Sequence, residues 1–170
     1  MEAGYKTGAG MDWHVLYVKP RCEKKAAAHA VRLGVEAYLP LRRETKLYQR
    51  RRVTVDKPVF RGYLFVRFSP SQRAEVLRSH TVVHVLDVAD QAGFERDLEQ
   101  VRQALAIDPT LNVERTLKPG RRVRITTGPF MGLEGVVQTV RGAQRVLLAV
   151  EMIGQAVVIN AETAFLEPLT

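Results

Sequence analysis

Metal or nucleophile chemistry in this chain would have to come from four histidines, His14, His29, His80 and His84, and from one cysteine, Cys22. The lone cysteine has no partner for an intrachain disulfide, and a cysteine-based metal cluster is excluded. Such sparing cysteine use fits a reducing, cytoplasmic setting. His80 and His84 have the i, i+4 spacing of a helical metal pair, but Val82-Val83 between them reads as strand. On a strand they would share a face yet sit about 13 Å apart, at about 3.3 Å per residue, too far for one ion. No H-E-x-x-H run, phosphate-binding loop or nucleophile elbow occurs. The sequence therefore predicts no catalytic residue, no metal site and no cofactor.

Charge is more informative. Lys and Arg outnumber Asp and Glu by 26 to 18, a net charge of +8. The excess concentrates in 42–57, where Arg42, Arg43, Lys46, Arg50, Arg51, Arg52 and Lys57 face only Glu44 and Asp56. Such a segment favours a polyanion. The competing reading is a charged edge that resists aggregation. No apolar run approaches the roughly 18 residues a membrane span needs, and no partner membrane is expected. Met1–Gly10 has no continuous apolar core of a signal peptide and reads as a Gly/Ala-rich flexible tail, placed at 1–11.

The elements that would carry these residues alternate. Trp13–Val18 reads as a strand, and Cys22, Ala26, Ala30 and Leu33 come next at helical spacing before Gly34. Val35–Leu39 is a short strand. Leu47-Tyr48 and Val53-Thr-Val55 flank Arg50-Arg-Arg52 as a projecting hairpin with a basic tip, although the turn lacks Gly or Asn. In the strand Arg61–Phe68, Leu64, Val66 and Phe68 share one face and Tyr63, Phe65 and Arg67 the other. Ser69-Pro70-Ser71-Gln72 opens a helix ending near Ser79, with Gln72 placed to close a capping box. Val82–Val88 is a strand, and Phe94, Leu98, Val101 and Leu105 make an amphipathic helix. This order predicts an open sheet with packed helices. Pro109–Pro119 has no period and reads as a linker, placed at 109–117. Beyond it, five short strands separated by Gly, Pro and Asn turns predict a small closed barrel.

Three segments carry a resemblance. Trp13-His-Val-Leu-Tyr-Val-Lys-Pro20 is similar to the opening strand of the NusG N-terminal (NGN) domain. Lys57-Pro-Val-Phe-Arg-Gly-Tyr-Leu-Phe-Val66 resembles the segment these proteins write as P-L-F-P-G-Y-V/L-F-V. Pro119–Val137 resembles a KOW motif through Gly120, Val123, Gly128, Pro129, Phe130, Gly132 and Gly135. The three lie in order and span about 12–168. The resemblance implies an α+β chain: an open antiparallel α/β NGN domain at 12–108 and an SH3-like KOW barrel at 118–170. Gly132 and Gly135 would permit a tight bend where a side chain would obstruct the barrel.

In that family an apolar NGN surface docks on the clamp helices of the largest RNA polymerase subunit, favours the closed clamp and suppresses pausing. The resemblance places Tyr17, Phe60 and Tyr63 on this surface with Trp13 in support. Core packing is the competing reading for all four, and the stronger one for Trp13. Arg61 departs from the usual proline before Gly-Tyr and adds a charge suited to an acidic clamp residue, to DNA or to solvent. Lys19, Arg21, Lys24 and Lys25 match positions near the non-template strand in RfaH-like relatives, and a solvated helix face is the alternative. Arg50, Arg51 and Arg52 would reach upstream DNA, and Arg73 the polymerase gate loop. The KOW barrel would recruit termination factor Rho or a small-subunit ribosomal protein.

The implied function is a monomeric transcription elongation or antitermination factor without catalysis. Trp-x-Val-Leu-Tyr-x-Lys and the continuous basic run resemble the specialised RfaH-like antiterminators more than the general factor. The Gly-rich C-terminal pattern predicts β structure rather than the helical hairpin of autoinhibited RfaH. The alternative is an RNA-binding or ribosome-associated KOW protein, whose affinity would fall steeply with salt.

Overall fold

A computed structural model describes residues 11–169; all but the last residue of the expected tail at 1–11 lie outside them. In chain order the elements are β1 (Asp12–Val18), α1 (Glu23–Arg32), β2 (Glu36–Tyr38), β3 (Leu41–Tyr48), β4 (Arg51–Pro58), β5 (Tyr63–Phe68), α2 (Arg73–Leu77), β6 (Val82–Asp87), α3 (Gln91–Ile107), β7 (Asn112–Glu114), β8 (Arg121–Ile125), β9 (Glu134–Val140), β10 (Ala143–Val150), β11 (Gln155–Asn160) and β12 (Leu166–Pro168). Two compact units result. One is the chain through Leu39 with Pro58–Ala92; the other is Pro40–Lys57 with the chain from Gly93 on.

The first unit is built on an antiparallel sheet in the order β2-β5-β1-β6. Side chains alternate across a strand, so the pairing of Leu16 with Leu64 and of His14 with Val66 sorts the residues by face. One face carries Leu16, Val18, Leu64, Val66 and Phe68 against Ala26 and Ala30 of α1 and Val76 of α2. The other carries Trp13, Val15, Tyr17, Tyr63, Phe65 and Arg67, with Trp13, Val15 and Phe65 buried. Gln91 extends the ladder beyond β6: its Oε1 accepts the Trp13 N–H at 2.6 Å, and its Nε2 donates to the Trp13 carbonyl at 2.9 Å. The expected capping box forms, with Ser69 N–H donating to Gln72 Oε1 at 3.0 Å, but its first turn is 3-10 and α2 ends at Leu77. His80 lies ahead of β6 with a φ of 58°, so it and His84 do not share a strand.

The second unit holds the β3–β4 hairpin, most of α3 and a six-stranded antiparallel sheet ordered β12-β8-β9-β10-β11-β7. Leu147, Ala156 and Val158 form a buried cluster in this strand-rich, KOW barrel-like sheet. Phe94, Leu98, Val101 and Leu105 are buried along α3, as their spacing predicts. The 109–117 segment is not a structureless linker. Asn112–Glu114 pairs with β11, and Leu111 beside it is buried; three residues are too few to show a period. Polar contacts tie α3 to β9 and the hairpin to the segment after α3. Gln100 accepts the Glu134 N–H at 2.7 Å and donates to its carbonyl at 2.9 Å, and Arg43 N–H donates to Pro109 O at 2.7 Å.

The glycines of the expected KOW motif act for different reasons. A Cβ on Gly135 would strike the Leu147 carbonyl and Val146, the obstruction expected there. At Gly132 space is open and the requirement is a φ of 93°. Gly120 would meet Val136, while Val123 is simply core.

Candidate functional site

At one end of the first sheet, the second face turns from buried to exposed. Tyr17 pairs across β1–β5 with Tyr63 and across β1–β6 with His84, so three rings stand in one row. Tyr17 and Tyr63 lie 5.5 Å apart between ring centroids, and Tyr17 and His84 stack at 6.5 Å. Tyr17 is 42% exposed, Tyr63 half-buried and His84 exposed. Aromatic rings fixed in a row at the surface have the character of interface anchors, since they offer large contact area at little entropic cost.

The bed of this row is the turn at Val59–Gly62. Gly62, at a φ of 85°, lies under Tyr17: a Cβ there would come within 3.1 Å of Tyr17 Cε2. Its carbonyl accepts the Val18 N–H at 2.8 Å, and its own N–H donates to Glu23 Oε1 at 3.0 Å. Glu23 is buried at the start of α1, so one carboxylate ties the helix to the turn beneath Tyr17. Nothing in the local sequence pattern marked Glu23 or His84 for these places; only the strand register and the packing of α1 bring them there.

Phe60, expected on this surface, is core instead, and so is Trp13, for which core packing is the stronger sequence reading. Phe60 is 1% exposed and meets Phe65 edge-on at 6.0 Å, because the Gly62 turn folds its ring inward. Trp13 is 2% exposed beneath the Arg67 guanidinium, 5.8 Å from the ring centroid. Neither ring stands at the surface. Arg61 is exposed beside Tyr63.

Lys19, Arg21, Lys24 and Lys25 are exposed where β1 passes into α1, directly after Tyr17. Arg21 holds a left-handed φ of 63° there. Arg73 is separated from the aromatic row. It pairs with Asp87 at 3.7 Å, and Asp87 lies opposite His14, on the face that packs the helices.

Arg50, Arg51 and Arg52 are exposed in the β3–β4 hairpin of the second unit. Its acids cluster at the base. Glu44 meets Arg42 at 2.8 Å, Lys57 at 3.1 Å and Lys46 at 3.8 Å, while Asp56 meets Arg43 at 3.6 Å. The hydrogen bond from Lys57 and the surrounding cations hold the Glu44 carboxyl below its usual value. Arg42 also donates to the carbonyls of Leu111 and Thr110 and to Asn112, so its charge is structural rather than free. In the barrel-like sheet Phe130 is half-buried, while Met131 and Phe165 are exposed. The Thr126 N–H and hydroxyl both donate to the Phe165 carbonyl, at 2.9 and 3.0 Å, drawing Phe165 to the loop that holds Gly128, Pro129 and Met131. Among the described residues no group of three His, Cys, Asp or Glu could hold a metal ion, and no helix is long and apolar enough to cross a membrane.

The family model described as "NusG: Transcription termination factor nusG" matches residues 11–105. Among solved structures, Thermotoga maritima NusG, in a structure concerned with domain interaction, is similar with a TM-score of 0.53 at 17% identity, over 94% of this chain and 98% of that one. The MjSpt4:Spt5 complex in its conformation B is matched at a TM-score of 0.33 and 15% identity, over 93% of this chain and 97% of that one.

Proposed function

This chain belongs to the NusG family, and from that premise we propose that it is a transcription elongation and antitermination factor that docks on RNA polymerase and performs no chemistry. In this reading 12–108 is the NGN portion, 109–117 the connection and 118–170 the KOW portion. The protein is cytoplasmic and monomeric. Tyr17 and Tyr63, with Arg61 beside them, meet the clamp helices of the largest subunit and suppress pausing. Lys19, Arg21, Lys24, Lys25 and the hairpin arginines lie toward the DNA near the bubble. The exposed row Tyr17–Tyr63 carries the reading: fixed aromatics resting on a pinned turn suit a protein partner.

The KOW portion joins polymerase to a second protein, Rho or a small-subunit ribosomal protein, through the apolar Met131 and Phe165. The acid pairing of two of the barrel's arginines favours this over an RNA surface. Arg124 pairs with Glu134 at 2.6 Å and Glu167 at 3.9 Å, and Arg122 with Glu134 at 3.9 Å. The continuous basic hairpin supports a specialised rather than a general factor.

The test is retention of purified bacterial RNA polymerase by the wild type and by a Tyr17→Ala/Tyr63→Ala variant, after circular dichroism shows that the variant folds. Retention by the wild type alone is expected. Equal retention by both removes the aromatic row from the mechanism; RNA binding without polymerase binding by either chain favours the ribosome-associated alternative.

A further inference from the structure

We propose that the tip of the β3–β4 hairpin is a site for single-stranded DNA, in which Tyr48 stacks on an unpaired base while Arg50, Arg51 and Arg52 take the adjoining phosphates. The choice of DNA rests on the proposed work beside the transcription bubble; the stacking chemistry rests on the hairpin alone.

Gln49 and Arg50 form a two-residue turn, with φ values of 45° and 65°. Two positive φ angles make it the tight turn whose twist matches a hairpin, and they set Tyr48 directly opposite Arg51 and Leu47 opposite Arg52. Side chains alternate, so Lys46, Tyr48, Arg51 and Val53 share one face. Every residue from Thr45 to Thr54 is exposed, so both faces meet water. Tyr48 is 66% exposed and Leu47 75%.

Charge is sorted along the hairpin. Both acids are engaged at its base, and 45–55 contains four cations and no acid. Among the described residues Arg50, Arg51 and Arg52 have no ion pair. Resistance to edge aggregation accounts for arginines, but not for a tyrosine and a leucine held in water among them. Nor does it account for arginine at a left-handed position that glycine or asparagine would occupy with less strain. A flat ring between mobile cations is the arrangement that binds unpaired bases: the ring takes the base face and the guanidinium groups take the backbone. A duplex hides its base faces and offers Tyr48 nothing.

The experiment is fluorescence anisotropy of the full chain with a short labelled DNA strand, the same sequence as a duplex, and the same sequence as RNA. Tyr48→Ala should weaken single-strand binding at least about fivefold while leaving duplex binding unchanged, and Tyr48→Phe should retain wild-type affinity. Replacing Arg50, Arg51 and Arg52 together by glutamine should weaken every nucleic acid and lower the salt slope on single strands by about two. Equal single-strand affinity of Tyr48→Ala and wild type overturns the proposal, as does preference for duplex. Tighter binding to RNA overturns the choice of DNA. Polymerase retention by the same proteins is read in parallel. If the wild type binds no polymerase but shows Tyr48-dependent strand binding, the docking reading fails and this one stands. If it retains polymerase without that binding, the reverse holds.

Discussion

Replacing Asp97 by asparagine tests how α3 is held to the strands of the second unit. The Asp97 carboxylate accepts the Glu151 N–H at 3.3 Å, and burial raises its pKa from 3.8 to about 6, with the nearby Glu151 adding to the rise. A raised acid pKa means that the folded state holds more protons than the unfolded chain between about pH 4 and 6. Stability therefore falls as pH rises through that window, and above it the fold carries a charge it disfavours. A change from 3.8 to about 6 corresponds to about 3 kcal/mol at most. The carboxyl is partly in water, and screening reduces this to about 1 kcal/mol. Asparagine keeps an oxygen for the Glu151 N–H and loses the charge. Asp97→Asn should thus be the more stable protein at about pH 7.5, by about 2–4 °C in Tm, and should match wild type near pH 4. Thermal unfolding followed by circular dichroism across that range measures the difference. A gap independent of pH, or a wild type more stable at neutral pH, would refute the assignment of the cost to a buried charge.

Gly62→Ala should cost about 1–2 kcal/mol through its left-handed backbone and displace the Tyr17 ring; polymerase retention should weaken while the variant remains folded, read by pull-down and urea unfolding together. Phe60→Ala should cost about 3–5 kcal/mol in urea unfolding, whereas Tyr17→Ala should cost under about 1.5 kcal/mol yet lose more polymerase binding. Glu23→Ala leaves the Gly62 N–H without its acceptor and should cost about 1.5–3 kcal/mol, with Glu23→Gln recovering most of it in the same assay. Arg50→Gly should raise Tm by about 1–2 °C by relieving the turn, while lowering nucleic-acid affinity in anisotropy.

The alternation in Tyr63–Phe68 determined which side chains share a face, and the spacing of Phe94, Leu98, Val101 and Leu105 which ones enter the core, because strand and helix periodicity are properties of a few consecutive residues. The basic segment 42–57, the capping box at Ser69 and the Gly-punctuated strands of the C-terminal half were legible for the same reason. Only the tertiary structure separated Tyr17 from Phe60. Both are aromatics near the same turn, but the direction of each ring depends on the register of β1 with β5 and on Glu23 reaching Gly62 across 39 residues. It likewise placed His84 beside Tyr17 and turned Arg42 from a free cation into a clasp on Leu111 and Thr110. Composition determined that the hairpin is basic and residue order that its charge centres on Arg50, Arg51 and Arg52; the left-handed turn at Gln49 and Arg50 and the ion pairs of Glu44 and Asp56 at the base came only with the fold. Local sequence encodes periodicity and charge, whereas burial and pairing depend on residues far apart in the chain that meet only in the fold.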